Sequence, residues 1–252
     1  MNPISKAKAI VLIIVQFFVS LFSFGSCGAD PDEPIDFDEI VGERVADAEA
    51  WASAFDYGDI SSATVRVYLD GEILSGGYTV KYDNGRIEEN YEIAGISQDK
   101  RYTVIGENEI IEYRYDSETS EWKGYEKYIS EFDYPDGFSI GADIRFHLSG
   151  VGPYDDIENH FDEITYSEEK NAYVLSRREK YTESDVTYYY TAYTYYKILN
   201  GMCVGVVAEA APDSPDAPVP SGGDAQAWDD KLCFYLYNIG TTAVELPEGI
   251  CI

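Results

Sequence analysis

The stretch Ala63-Thr64-Val65-Arg66-Val67-Tyr68-Leu69-Asp70-Gly71 decides how this chain is read. Ala63, Val65, Val67 and Leu69 alternate with Thr64, Arg66 and Tyr68, the period-two pattern of a half-buried β-strand. Asp70-Gly71 then signals a tight hairpin turn. The same pattern repeats downstream. Strands are predicted over 72–82 and 86–94 around Asp83-Asn84-Gly85, over 102–105 and 109–115 around Gly106-Glu107-Asn108, and around Trp122. Such a series is an antiparallel meander.

Upstream, Asp36 with Glu39 resembles a capping box, and Ile40, Val41, Val45, Ala48, Trp51, Ala52 and Phe55 fall on one helical stripe. This predicts an amphipathic helix that stops near Gly58. Downstream, a second helix is predicted from about Gly152-Pro153, with Tyr154, Ile157, Phe161 and Ile164 at helical spacing. Strands resume over 172–181, 185–199, 203–209, 231–237 and 241–246, with Asn200-Gly201 as a turn. Residues 210–230, rich in Pro, Asp, Ser and Gly, read as a long exposed loop. Helix, six strands, helix, five strands is an α+β pattern: a large antiparallel sheet of about 11 strands with helices on one face. The tyrosines at 188, 189, 190, 193, 195 and 196 put aromatic rings on both faces.

The N-terminus addresses location. Lys6 and Lys8 precede an apolar run over 9–24, followed by Phe24-Gly25-Ser26-Cys27. A basic start, an apolar stretch and small residues before the cut make a secretory signal. With the cysteine in place it resembles the bacterial lipobox, which implies that Cys27 is lipidated, with acyl chains such as palmitate, and becomes the first residue. The run is short for a membrane span. The reading is therefore a signal peptide over 1–26, an acidic Pro-containing tether over 27–37 and one domain over 38–252, anchored outside the cytoplasm. From Cys27 on, 16 basic residues face 47 acidic ones, a formal charge of −31. Nucleic acid is excluded as a natural partner, because phosphate binding needs clustered positive charge. Anionic headgroups repel this chain as well. Disorder is excluded by an aromatic content of 15%.

Lipobox, tether, helix, meander, second helix and closing hairpin together resemble the LolA/LolB-type lipoprotein-carrier fold, and most of all its lipid-anchored LppX/LprG-type relatives. The stretch Phe234-Tyr235-Leu236-Tyr237-Asn238-Ile239-Gly240-Thr241-Thr242-Ala243-Val244-Glu245-Leu246-Pro247 is similar to that family's final strands, and 161–175 to its hairpin after the second helix. The resemblance spans about 38–248 and implies a strongly curved half-barrel whose concave face, lidded by helices, takes an acyl chain or another apolar ligand. Trp51, Phe55, Val65, Val67, Leu69, Ile157 and Phe161 are the expected lining, each with plain core packing as its alternative. A buried chain gains roughly 0.8 kcal/mol per CH₂, so such a groove needs no polar chemistry.

Other chemistries fare worse. Gly137-Phe138-Ser139-Ile140-Gly141 matches the hydrolase elbow G-x-S-x-G, but the following 142–146 alternates like a strand, and His147 and His160 lie too close in sequence to Ser139 for that fold's triad order. Catalysis is not expected. No Cys-x-x-Cys or His-x-x-x-His occurs, so no metal and no cofactor is expected. Asp155, Asp156, Glu158, Asp162 and Glu163 read as a solvated acidic face. Cys203 and Cys233 lie symmetrically about the 210–230 loop, so a disulfide between them and two separate thiols are both open; Cys251 is left over. The 23 tyrosines keep a second class alive: a surface interaction or adhesion module whose exposed sheet face stacks on a partner such as a glycan.

Overall fold

The computed structural model describes residues 37–70, 76–94, 96–106, 109–127, 138–183, 186–213 and 230–250. The expected signal peptide over 1–26, Cys27, the tether over 28–36, most of the loop over 210–230 and Cys251 lie outside the described residues. Among the described residues no helix is long and apolar enough to cross a membrane.

Eleven strands form one open, curved antiparallel sheet with few helices, an α+β fold. In chain order they are β1 (Ser62–Asp70), β2 (Gly76–Asp83), β3 (Arg86–Ile93), β4 (Ile96–Ile105), β5 (Ile110–Asp116), β6 (Glu121–Glu126), β7 (Thr165–Ser167), β8 (Ala172–Glu183), β9 (Val186–Leu199), β10 (Met202–Pro212) and β11 (Lys231–Tyr237). Their order across the sheet is β6-β5-β4-β3-β2-β1-β11-β10-β9-β8-β7. Two meanders thus share one seam, β1 against β11, with Val65 opposite Leu236 and Val67 opposite Phe234. Local turns set each meander. Asn84-Gly85 and Asn200-Gly201 are two-residue turns with positive φ at both positions, as the twist of a tight hairpin requires.

Two helices lie on the inner face, α1 (Ala48–Ser53) and α2 (Ile140–Ser149). The chain between β6 and β7 has to cross the sheet from edge to edge, about 48 Å at ordinary strand spacing. It does so with α2 and two single 3₁₀ turns, Ile157–Asn159 and Phe161–Glu163.

Four expectations need correction. The first helix is only six residues long, and 40–47 is neither helix nor strand. The Glu43 N–H donates to Ile198 O at 2.7 Å, and a Cβ on Gly42 would stand 2.2 Å from Asn171 O. Sheet contacts therefore outweigh the helical stripe; Val41 is exposed, and Asp47 caps the short helix by accepting from the Ala50 N–H at 2.9 Å. The strap so formed carries the chain from the outer face, where Phe37 and Ile40 pack, to the inner one, where Val45 and Trp51 pack. The helix expected near 152–164 is the pair of 3₁₀ turns. The strand-like alternation over 142–146 belongs to α2, whose Ile144 and Leu148 face the core. Finally, 241–246 is no strand, because β11 already pairs with β1 and β10. That segment is held instead by the Val244 N–H on Asp83 Oδ2 at 3.1 Å.

Gly42→Ala is expected to cost about 1–3 kcal/mol by forcing the strap off Asn171. Urea denaturation should show a lower midpoint with an unchanged slope.

Candidate functional site

The space between α1 and the seam is a packed aromatic core. Trp51 donates from Nε1 to Ile157 O at 3.1 Å. Its ring meets Phe55, Tyr173 and Tyr196 edge-on at centroid distances of 4.8, 5.1 and 5.7 Å. Of the residues expected to line a cavity, Trp51, Phe55, Val65, Val67 and Ile157 are buried here, and Phe161 packs half-buried beside Trp51. Leu69 is half-buried near the end of β1, opposite Leu232. Six of these seven residues therefore meet in one cluster, where they pack against one another.

The cysteines do not pair. Cys203 and Cys233 are both free and buried. Cys203 belongs to the inner core, whereas Cys233 lies in the outer cluster opposite Val207. The β10–β11 register sets Cys233 opposite Val207, and the irregularity between Cys203 and Gly205 breaks the alternation of β10, so the two thiols fall on opposite faces. Burial pushes Cys203 up to about 12 and Cys233 up to about 11, so both stay thiols.

Ser139 is the N-cap of α2, accepting from the Ala142 N–H at 3.1 Å. His160 stacks on Tyr154 and pairs with Glu163 and Asp156. The acidic run is largely paired: Arg145 bridges to Glu158 and Arg177 to Glu163. Among the described residues no three His, Cys, Asp or Glu side chains are grouped to hold a metal.

Two other places concentrate chemistry. The first lies on the inner face under α2. There Tyr82 donates to Asp143 Oδ2 at 2.7 Å, and Tyr78 OH lies 3.0 Å from His147 Nδ1. Glu89 and Glu112 are buried beside them, with Lys127 Nζ at 3.9 and 3.8 Å respectively. Arg101 lies over the Tyr91 ring. Burial pushes the Glu89 carboxyl above the ordinary carboxylate range, with Lys127 only partly opposing it. Period two in β3 already put Glu89 on one face with Ile87 and Tyr91. The Asp143/His147 pair was hidden because its helix read as a strand.

The second is a groove of about 280 Å³ on the outer face. Phe37, Val207, Cys233, Tyr195 and Tyr235 contribute apolar and aromatic surface, and Asp38, Asp70, Lys170, Glu209 and Lys231 supply charge. Lys170 approaches Asp38 at 3.9 Å and Lys231 approaches Glu209 at 3.8 Å, and Asp70 leaves the lining with one acidic residue more than it has lysines. Tyr195 is flanked by Tyr193, with rings nearly parallel at 6.2 Å. Burial, then Glu209, raises the Tyr195 phenol, which stays a neutral hydrogen-bonding group. No local signal marked this groove, because β1 meets β11 only through non-local pairing.

No protein-family model and no curated protein matches the chain. Among solved structures it is similar to the crystal structure of a DUF1329 family protein from Desulfovibrio piger, at 9% identity and a TM-score of 0.21, over 80% of this chain and 93% of that one. A likeness at that score carries no argument about function.

Glu89 yields a pH prediction. Its folded value is raised, so the native state holds the proton more tightly, and the fold gains stability as pH falls through that value. Glu89→Gln is therefore expected to be more stable than wild type at pH 7. The advantage should vanish below about pH 4, near a free glutamate's own value. Urea midpoints measured across pH check this.

Proposed function

We propose that this chain is a membrane-anchored, extracytoplasmic binding protein without catalysis, which engages glycan through the Tyr-lined groove of its outer sheet face. The observation that carries the reading is the contrast between the two faces. Most of the inner residues expected to hold an acyl chain are packed against one another, whereas the outer groove combines aromatic rings with three acidic side chains and two lysines. A sugar chain offers a C–H face to the half-buried Tyr195, and hydroxyls to Asp70, Glu209 and Lys231. An acyl chain would use only the rings and leave those charges desolvated, a costly arrangement. A polyanion would meet the net negative charge of the chain.

Position supports the same reading. Phe37 and Asp38 help line the groove and directly follow the tether. Ten residues from a lipidated Cys27 span at most about 35 Å, so the groove works close to the membrane surface. The acyl-chain carrier is the competing reading, and it requires α1, with Trp51, to move off the sheet or the 157–163 turns to move off Trp51.

The test uses the full chain in nanodiscs, titrated with soluble β-1,4-linked N-acetylglucosamine oligomers and with maltose oligomers, and native mass spectrometry for retained lipid. Binding to an oligomer is expected, and Tyr195→Ala should weaken it roughly thirtyfold, the loss of about 2 kcal/mol typical of a central aromatic contact. Absence of oligomer binding, together with a stoichiometric lipid that Trp51→Asp releases from a folded chain, would overturn the reading in favour of the carrier.

A further inference from the structure

The aromatic surface of the outer groove does not stop at Tyr195. Along β9 the side chains at 189, 191, 193 and 195 share the outer face, because strand residues two apart point the same way. Three of the four are tyrosines. Tyr195 lines the groove, Tyr193 lies next to it with its ring 6.2 Å away, and Tyr189 is 48% exposed toward the far end of the strand. The pairing of β9 with β8 and β10 is regular over this stretch, so the three rings stay on one face.

The neighbouring strands leave the row uncovered and add polar groups to it. Opposite Tyr193 stand Ser176 on β8 and Glu209 on β10, and opposite Thr191 stand Arg178 and Ala211. Ser176 and Ala211 are small and exposed, so neither side chain screens the rings. Arg178 lies over the Tyr189 ring at 5.2 Å, and its Nε donates to Asp213 Oδ2 at 2.6 Å. The Thr191 hydroxyl donates to the other oxygen of Asp213 at 3.3 Å. Arg178 is thus held from two sides, yet its side chain stays 70% exposed, and a guanidinium has further N–H donors to offer.

We propose that this row extends the groove into a track along which an uncharged polysaccharide lies, so that affinity grows with chain length. The inference rests on the glycan reading of the groove and adds the class of glycan, a chain longer than the groove itself. Continuity with the groove selects the occupant. From Tyr195 to Tyr189 the strand runs about 20 Å. Sugar rings laid along it set C–H faces on Tyr193 and Tyr189 and hydroxyls against Arg178, Asp213 and Glu209. Because Arg178 is already held by Asp213 and Tyr189, binding loses little further side-chain freedom there. A polyanionic chain is disfavoured by the formal charge of −29. Ring and cation contacts between strands also stabilise a hairpin, and the test has to separate that role from binding.

The experiment is calorimetric titration of the full chain in nanodiscs with the disaccharide and the hexasaccharide of β-1,4-linked N-acetylglucosamine and of the maltose series. In the series that binds, Tyr189→Leu keeps an apolar strand residue and removes the ring; it should weaken the hexasaccharide roughly tenfold and leave the disaccharide unchanged. Tyr189→Phe should behave as wild type. A longer chain also gains from offering more registers, so the variants decide the matter and the bare length ratio does not. If hydrogen exchange shows that Tyr189→Leu frays 186–193, Arg178→Gln carries the test with the same selective loss. Hexasaccharide affinity that survives these substitutions would overturn the track and leave the groove standing. Binding of neither length would overturn the groove reading and the track with it. Self-association of the wild-type chain in detergent, abolished by Tyr189→Leu, would give the row to a second copy and overturn the track as well.

Discussion

The pairing of β1 with β11 is the constraint from which the rest of this architecture follows. Every other strand pair is a neighbour in sequence and closes through a short connection or a single loop. The seam instead joins residues 64–70 to 231–237. Once it forms, one meander extends from each side, and β6 and β7 become opposite edges. The chain between them then has no route except across a face. The helical covering of the inner face is thus a consequence of topology as much as of amphipathicity.

That crossing divides the inner face into two environments. Over β1, β11, β10, β9 and β8, α1 and the 3₁₀ turns bury Trp51, Phe55, Tyr196 and Phe234 in dry contact. Over β2 and β3, α2 brings Asp143 and His147 down onto tyrosines and Glu89. The outer face has its own logic. Arg66 and Glu92 form an ion pair at 2.8 Å with both side chains about 5% exposed, and Lys197 donates to Ile40 O while lying over the Phe37 ring. Breaking such a buried pair costs more than the pair contributes, so these contacts act chiefly to specify how the strap and strands fit. The groove opens where the strap, β1, β10 and β11 come together.

Much of this was legible in the chain itself, wherever the cause was local. Period-two alternation in β1 and the spacing of turn residues elsewhere located ten of the strands, because a strand between core and solvent exposes its side chains by turns and each hairpin needs a turn. Asn84-Gly85 and Asn200-Gly201 announced their turns, because positive φ at two successive positions suits few other residues. The α+β class followed from the order of elements. Basic start, apolar run and Cys27 carried the expectation of a lipid anchor, and composition carried the strong negative charge.

Tertiary structure decided the rest, wherever a residue's state depends on a partner distant in sequence. Residues 40–47 have a helical stripe and no helix, since Gly42 is pressed against Asn171 and Glu43 binds Ile198. Residues 142–146 alternate like a strand and form a helix, because Ser139 caps it and Ile144 and Leu148 meet the core. Cys203 and Cys233 stand on opposite faces because β10 is irregular between Cys203 and Gly205, a bulge against β9 that no local pattern encodes. The sequence by itself determined most of the strands and the tight turns between them; only packing decided the state of the segments that cross the sheet and which face each strand presents, because burial is a property of the assembled sheet.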